Sequence, residues 1–244
     1  MKTIVLISTL LLVLALPASG QPRYETDTLT TAGGPIVIGF LGHGSVMFEF
    51  KGTTIYADPV SRYADFSRMP KADIIVVTHE HGDHLDSLAI EGCRKSTTQI
   101  LCSEACLPTA RGGTVMKNGE SKTVAGIKVE AVPAYNIVHM RSEGVPFHAK
   151  GHGNGYVLTI GGKRIYIAGD TENVPEMSNL GTIDIAFLPM NLPYTMTPEM
   201  VAEAAKRIHP KILYPYHFGK TDTSQLVKLM SSETGVAVRI RNMQ

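Results

Sequence analysis

The residues with the clearest chemical potential lie in one run, Thr78-His79-Glu80-His81-Gly82-Asp83-His84-Leu85-Asp86. This run places three imidazoles and a carboxylate within six residues, directly after the apolar segment 74–77. Such a density of imidazole and carboxylate suits Zn, Mn or Fe, and Zn is the usual choice for a hydrolytic site. A solvated histidine-rich loop without metal is the alternative, which we disfavour because further ligand types occur downstream.

A buried strand followed by a loop can bring these side chains together. Residues along a strand alternate between its two faces, and the loop at its end lets them converge. His79 and His81 are therefore expected to face one metal, while Asp83 and His84 reach a second.

Four more features follow predicted strands. Asp170 lies in Gly169-Asp170-Thr171, and His217 ends Tyr214-Pro215-Tyr216-His217. Asn136 follows a strand that ends near Pro133, and His43 lies between two glycines after the first strand. Each is a polar side chain at a strand exit, where sites commonly form.

With His-x-His-x-Asp-His at 79–84, Gly-Asp-Thr at 169–171 and the late His217, the chain resembles the metallo-β-lactamase superfamily. The flanks Leu41-Gly42-His43, Ala57-Asp58-Pro59 and 193–197 look most like the small L-ascorbate-6-phosphate-lactonase subgroup. The resemblance covers nearly all of the chain from residue 35. It implies a single α/β domain, a four-layer αββα sandwich with a metal site at one edge of its two sheets.

The resemblance also implies a ligand set for two divalent ions. His79 and His81 would bind the first ion, Asp83, His84 and His217 the second, and Asp170 would bridge them. The family's further histidine for the first ion falls near Asn136, whose oxygen is a poorer Zn ligand. His139, His148, His152 or a water are alternatives, so the first site is either weaker or suited to Mn or Fe. If Asn136 is the ligand, Asn136→His is predicted to tighten this site.

Two divalent ions about 3.5–4 Å apart lower the pKa of a shared water from about 15.7 to about 7, which gives hydroxide at neutral pH. Asp83 is an alternative proton acceptor, so Asp83 and Asp170 are the predicted catalytic carboxylates. Carboxylates commonly orient metal-bound imidazoles. Asp58 and Asp86 are candidates for that role, with a turn or helix cap as the alternative. The remaining pocket candidates are His43, Tyr194 and His148.

Composition indicates one globular domain of ordinary character. The chain has 244 residues, of which 43% are hydrophobic and 18% charged. A formal net charge of +1 argues against nucleic acid as a partner. The expected partner is a small-molecule substrate, and the sequence leaves the oligomeric state open.

The N-terminus has the form of a secretory signal peptide over residues 1–20, with Lys2, an apolar stretch and small residues before Gln21. This predicts a secreted or periplasmic protein without stable membrane insertion; an uncleaved anchor is the alternative. Residues 21–34 are expected to form a flexible lead-in and 35–244 the domain. One disulfide among Cys93, Cys102 and Cys106 is possible in such a compartment.

Apolar periodicity and turn residues predict the elements of the domain. Helices are expected at Leu85–Lys95, from an N-cap at Thr197 to Pro210, and near Thr223–Thr234. Strands are expected at Ile36–Leu41, Val46–Phe50, Thr53–Ala57, Asp73–Thr78, Gln99–Cys102, Ser121–Val124, Ile127–Val132, Tyr156–Ile160, Arg164–Ala168, Ile183–Pro189, Lys211–Tyr216 and Val236–Ile240.

The favoured function is a metal-dependent hydrolase that uses metal-bound hydroxide on a small ester, lactone, amide or phosphodiester. One alternative is a β-lactamase. A second alternative is a metal- or ligand-binding protein with little turnover, because Asn136 stands where the family has a histidine ligand. A third is a di-iron redox protein.

Overall fold

Two seven-stranded β-sheets make up most of the regular structure in the computed structural model, which describes residues 24–244. The first sheet contains, in spatial order, β1 (Glu25–Thr31), β2 (Gly34–Gly42), β3 (Ser45–Phe50), β4 (Thr53–Ala57), β5 (Ile74–Val77), β6 (Gln99–Cys102) and β7 (Thr114–Val115). Its first four strands are antiparallel and the rest run parallel.

The second sheet uses the later strands. These are β8 (Ser121–Val124), β9 (Ile127–Ala134), β12 (Gly153–Ile160), β13 (Lys163–Ile167), β14 (Ile185–Pro189), β15 (Ile212–Tyr216) and β16 (Ala237–Val238), in the order β16-β15-β14-β13-β12-β9-β8. A separate hairpin pairs β10 (Met140–Ser142) with β11 (Val145–Pro146). The strands from β13 to β16 are parallel, so their carboxyl ends share one edge.

The alternation of side chains along β5 shows how the layers stack. Ile74 and Val76 belong to the large core that includes residues of the second sheet. Ile75 and Val77 belong to a smaller core with Ala89 of helix α1 (Ser87–Cys93). Because successive strand residues point to opposite faces, the strand is covered by the second sheet on one side and by a helix on the other.

The second sheet carries helices as well, α2 (Pro198–Ile208) and α3 (Thr223–Leu229). The Thr197 side chain accepts a hydrogen bond from the Met200 backbone N–H, as the sequence predicts for the N-cap. The apolar face of α2, Val201, Ala204, Ala205 and Ile208, is buried in the large core. The fold is therefore the expected α/β sandwich in a single domain.

Aromatic side chains join the two sheets across the core. The ring of Phe40 in β2 lies 4.9 Å from the ring of Tyr214 in β15, measured between centroids. Phe48 in β3 meets Phe187 in β14 edge to face at 5.9 Å. Such pairs contribute about 0.5–1.5 kcal/mol each beyond their area burial.

The prediction of a flexible lead-in is wrong for the described part of residues 21–34. Residues 25–31 form β1, which pairs with β2 along its whole length, from Glu25 opposite Phe40 to Thr31 opposite Gly34. The polar composition of this segment reflects an edge strand with one exposed face. The predicted signal peptide lies outside the described residues.

Several element boundaries also differ from the predictions. Helix α1 starts at Ser87 because Asp86 caps it, and α3 ends at Leu229. The last strand contains only Ala237 and Val238. The hairpin of β10 and β11 was not predicted, since its short strands carry no apolar alternation.

All three cysteines lie in the described part of the chain, where they are buried and unbridged. Cys102 ends β6 and Cys106 lies in the single helical turn that follows, so they share a strand–helix corner. Within residues 24–244, no helix has the length and apolar character needed to cross a membrane.

An ionic contact links strand β1 to residues near the C-terminus. Asp27 accepts two hydrogen bonds from the Arg241 Nη2 atom, at 2.6 and 2.7 Å, and others from Arg239 and the Tyr214 hydroxyl. Burial alone would raise the pKa of Asp27, but the hydrogen bonds from Arg241 and Tyr214 outweigh it and hold this pKa below 3.8.

We expect Asp27→Asn to lower the free energy of unfolding by about 1–3 kcal/mol at pH 7, because a charged partner of Arg241 is lost. A carboxyl with a lowered folded-state pKa contributes stability above its unfolded pKa and loses it as pH falls through the folded pKa. The difference between wild type and variant should therefore shrink below about pH 4. Urea unfolding at pH 7 and pH 3 measures this difference in the free energy of unfolding. Glu143→Gln, which changes an exposed turn, is the control. An equal difference at both pH values contradicts the assignment.

Candidate metal centre

The polar residues singled out in the sequence meet at one edge of the two sheets because each follows a strand. His79 and His81 come after β5, Asp170 after β13 and His217 after β15. His43 occupies the turn between β2 and β3. The centre is therefore built from both sheets.

Three imidazoles form a first group, which consists of His79, His81 and His148. The Nδ1 atom of His81 lies 3.1 Å from Nε2 of His79 and 3.2 Å from Nε2 of His148. Three ring nitrogens converging on one point are a common ligand set for Zn, with a fourth position left open.

Four side chains form a second group, which consists of His43, Asp83, His84 and His217. The Asp83 Oδ2 atom lies 3.1 Å from Nε2 of His43, 3.4 Å from Nε2 of His217 and 3.9 Å from Nε2 of His84. Asp83 is the more exposed carboxylate of the centre, with 40% of its side chain accessible against 4% for Asp170.

Asp170 lies between the two groups. Its Oδ2 atom is 3.4 Å from Nε2 of His148 and 3.9 Å from Nε2 of His79. Its Oδ1 atom is 3.3 Å from Nε2 of His84 and 3.4 Å from Nε2 of His217. One carboxylate oxygen thus faces each group.

Several of these atoms are buried without a hydrogen-bond partner among the described residues. They are Oδ1 of Asp170, Nε2 of His84 and both ring nitrogens of His217. Buried polar atoms in native proteins nearly always have a partner. Unpaired imidazole nitrogens that converge on a carboxylate oxygen fit a divalent cation, so the residues present suit a metal.

The charges of the centre are set by its burial and by its close packing. Burial alone would raise the pKa of Asp170, but His217 and His84 outweigh it and hold this pKa well below its ordinary value. Burial would lower the pKa of His84, but Asp170 and Asp58 outweigh it and raise this pKa. Burial also lowers the pKa of His79. The Asp170 carboxylate is therefore ionised, which is the form that would hold a divalent cation.

Asp58, which is fully buried, orients two of the imidazoles. Its Oδ2 atom accepts a hydrogen bond from Nδ1 of His84 at 2.8 Å and another from the Thr78 hydroxyl at 2.7 Å. The Thr78 hydroxyl oxygen in turn lies 3.0 Å from Nδ1 of His79. With both Nδ1 atoms acting as donors, the Nε2 atoms of His79 and His84 are left free as acceptors.

Asp86 does not contact the centre. Its carboxylate caps α1 through the Leu88 N–H and accepts hydrogen bonds from Ser61, so of its two candidate roles the structure shows the helix cap. Tyr194 is also removed from the imidazoles. Its ring lies edge to face with Phe147, with centroids 5.1 Å apart.

Asn136 is not placed as a ligand, which corrects the sequence-based assignment. Its Oδ1 atom accepts hydrogen bonds from the backbone N–H of His148 at 2.9 Å and from Nδ1 of that ring at 2.8 Å. Its Nδ2 atom donates to Glu172 and to the Tyr194 carbonyl. Both lone pairs of the amide oxygen are thus occupied. Asn136 orients His148, and His148 takes the ligand position that the sequence-based assignment gave to Asn136.

The other two histidines considered as the third ligand of the first ion contact carboxylates instead. Nδ1 of His139 lies 2.6 Å from Glu172, and Nε2 of His152 lies 3.0 Å from Glu80. Glu172 itself was missed in the sequence. It is fully buried and accepts hydrogen bonds from the backbone N–H groups of residues 137–139. Its position directly after Gly-Asp-Thr was the only local signal for it.

We expect Asn136→Ala to weaken zinc binding at the first group by about 10–100-fold, because His148 loses both contacts that orient it. Asn136→His should also weaken it, the reverse of the sequence-based prediction. Chelator competition titrations measure the affinity. Asn173→Ala, which removes a contact to Glu203 away from the centre, is the control. Unchanged affinity in Asn136→Ala would rule out the positioning role.

Comparison with known proteins agrees with this geometry. Residues 37–217 match the family model described as "Beta-lactamase superfamily domain". A UPF0173 metal-dependent hydrolase of Pelotomaculum thermopropionicum is 30% identical over 217 residues, which cover 82% of this chain and 94% of the relative.

Solved structures extend the comparison. A crystal structure of a protein from Parabacteroides distasonis, named as a metal-dependent hydrolase, is 47% identical with a TM-score of 0.86, covering 91% of this chain and all of that one. Igni18 of Ignicoccus hospitalis, named as a metallo hydrolase, shares the fold with a TM-score of 0.67 at 24% identity, covering 84% of this chain and 94% of its own. With its cluster of histidine and aspartate ligands, the chain belongs to the metallo-β-lactamase superfamily and is a metal-dependent hydrolase.

Proposed function

We propose that this hydrolase holds two divalent ions and acts on a small ester, lactone, amide or phosphodiester. The observation that carries the proposal is the Asp170 carboxylate, which directs one oxygen to each of two groups of ligand atoms. A carboxylate in that position suits a bridge between two cations.

The two ligand sets differ in chemistry. His79, His81 and His148 would hold the first ion, and Asp83, His84 and His217 the second. Zn is the favoured metal because three imidazoles with an open position are typical of catalytic Zn, and Mn or Fe are the alternatives. Such a pair of ions, when bound, activates water at neutral pH and polarises the oxygen of the scissile group.

Asp83 has two candidate roles, as a ligand of the second ion and as a proton acceptor. Its carboxylate is ionised, because hydrogen bonds from His217 and His43 outweigh the effect of burial and lower its pKa. It is also the more exposed of the two central carboxylates. Because a lowered pKa makes the Asp83 carboxylate a weak base, we favour its role as a ligand of the second ion and keep proton transfer as its alternative role.

The cavity beside the centre supports a small substrate. It has a volume of about 200 Å³, and its walls include His79, His81, His148 and Asp170. A reacting group with a short substituent fits this space.

The alternative of a metal- or ligand-binding protein with little turnover is less well supported. That alternative depended on a missing imidazole at the first group, and His148 supplies one at 3.2 Å from His81. Three imidazoles and the shared carboxylate make up a full first ligand set.

We expect Asp170→Asn and His84→Ala each to reduce hydrolysis of 4-nitrophenyl esters or bis(4-nitrophenyl) phosphate to background. Both variants lose a ligand, so metal per chain should fall from two towards one in elemental analysis. Asp65→Asn, which changes an exposed carboxylate outside the centre, is the control. Circular dichroism checks that each variant folds. Near-wild-type turnover in either variant would contradict the dinuclear mechanism.

We also propose that the protein is exported, on the strength of its N-terminal residues 1–20 alone. Expression in a bacterial host with a periplasm, followed by fractionation and N-terminal sequencing, tests this. A mature chain that starts at Gln21 in the periplasm or medium is expected. A chain that keeps its N-terminal residues in the cytoplasmic fraction overturns the proposal.

A further inference from the structure

The hairpin of β10 and β11 forms a wall of the catalytic cavity. Arg141, Val145 and Phe147 line this cavity together with His79 and His81 of the first group. The hairpin is anchored at both ends. Glu172 binds the backbone of residues 137–139 before it, and Asn136 binds His148 after it. Its side chains are thus held over the centre by buried contacts.

Arg141 stands out among the charged groups of this wall. Across residues 24–244, no carboxylate lies within ion-pairing distance of its guanidinium group. Some arginines of the chain have such a partner, as Arg94 has in Glu91 and Arg164 in Glu130. The guanidinium carbon of Arg141 lies 5.8 Å from the centroid of the Phe147 ring.

The other charged groups near the cavity each contact a neighbouring polar side chain. Lys150 pairs with Glu176 at 2.6 Å. Glu80, which also lines the cavity, lies 3.0 Å from Nε2 of His152 through its Oε1 atom. Arg141 is therefore the cavity-lining cation without a counter-charge in the described part of the chain.

The chemistry of an arginine in this setting is specific. A guanidinium group is planar and carries donors in a fork that matches the two oxygens of a carboxylate or phosphate. Contact with an aromatic ring restrains that plane and leaves its donor edge free. Phe147 is itself fixed by its edge-to-face contact with Tyr194.

We propose that the substrate carries an anionic group, a carboxylate or a phosphate, which Arg141 binds while the scissile bond lies over the imidazoles. This inference rests on the proposed hydrolytic function of the same centre. Arg141 and the imidazoles line the same cavity of about 200 Å³, so a small substrate can contact both. Val145 and Phe147 supply an apolar wall for the connecting carbons.

Two matched esters test the proposal on the metal-loaded protein. 4-Nitrophenyl pentanoate is neutral, and mono-4-nitrophenyl glutarate ends in a carboxylate in place of the methyl group. Wild type should prefer the glutarate. Arg141→Gln should raise KM for the glutarate by about 10–100-fold, the effect of losing a charged hydrogen bond, and leave the pentanoate nearly unchanged.

Two further variants sharpen the test. Arg141→Lys keeps the charge but loses the fork, so its KM for the glutarate should lie between those of wild type and Arg141→Gln. Arg111→Gln, which changes an exposed arginine outside the cavity, should match wild type on both esters. Inhibition of pentanoate hydrolysis by butanoate and by propyl phosphate shows which anion Arg141 prefers.

The outcomes separate this inference from the function on which it rests. If both esters are hydrolysed with equal kcat/KM, or if Arg141→Gln affects both alike, the anion site is wrong and the hydrolase stands. If neither ester is hydrolysed, calorimetric titration with glutarate decides. Weaker binding in Arg141→Gln than in wild type supports the anion site, and equal binding overturns it.

Discussion

A buried carboxylate between two sets of imidazoles is the constraint on which the centre depends. Transfer of an ionised carboxylate out of water costs several kcal/mol unless opposite charge compensates it. Asp170 meets that condition through rings from both sheets, with His84 and His217 near one oxygen and His148 near the other. Removing its charge would leave these rings without the anion that holds them together.

The backbone that delivers Asp170 is equally constrained. Gly169 has a φ of +65°, and a Cβ atom there would lie 2.9 Å from the Asn154 carbonyl oxygen and 3.0 Å from Cβ of Thr78. Thr78 belongs to the hydrogen-bond chain that orients His79 and His84. Glycine at position 169 thus allows the end of β13 to pack closely against the loop after β5.

Much of this could be predicted because it is local in the sequence. The bounds of β4, β6 and β8 agree with the predictions, since apolar periodicity and turn residues set them. The His-x-His-x-Asp-His run and Gly-Asp-Thr place their ligand atoms within one loop each. His148 could not be assigned in this way, because its place depends on two hydrogen bonds to Asn136 and on a hairpin without apolar alternation. Strand β1 was missed because a polar edge strand lacks the pattern of a buried one.

Three residues of the centre have backbones in the left-handed region, His43 at φ 53°, Asp58 at 46° and His217 at 49°. Each costs about 1–3 kcal/mol for a side chain other than glycine. Their backbones are held by specific contacts. The His217 N–H donates to the His43 carbonyl, and the Asp58 carbonyl accepts from the Ser45 hydroxyl. Three of the six non-glycine residues with a positive φ in the described part of the chain thus belong to the centre, where these contacts hold them.

The centre joins two sheets that otherwise meet through apolar contacts such as Phe40 against Tyr214. The His79–His84 run belongs to one sheet, while Asp170 and His217 belong to the other. An ion shared between them is a cross-link at the open edge of the sandwich, comparable in effect to a disulfide. Since this cross-link exists only in the folded chain, mass action ties the melting temperature to the concentration of free metal. The metal-loaded protein is therefore expected to unfold at a higher temperature than the metal-free protein.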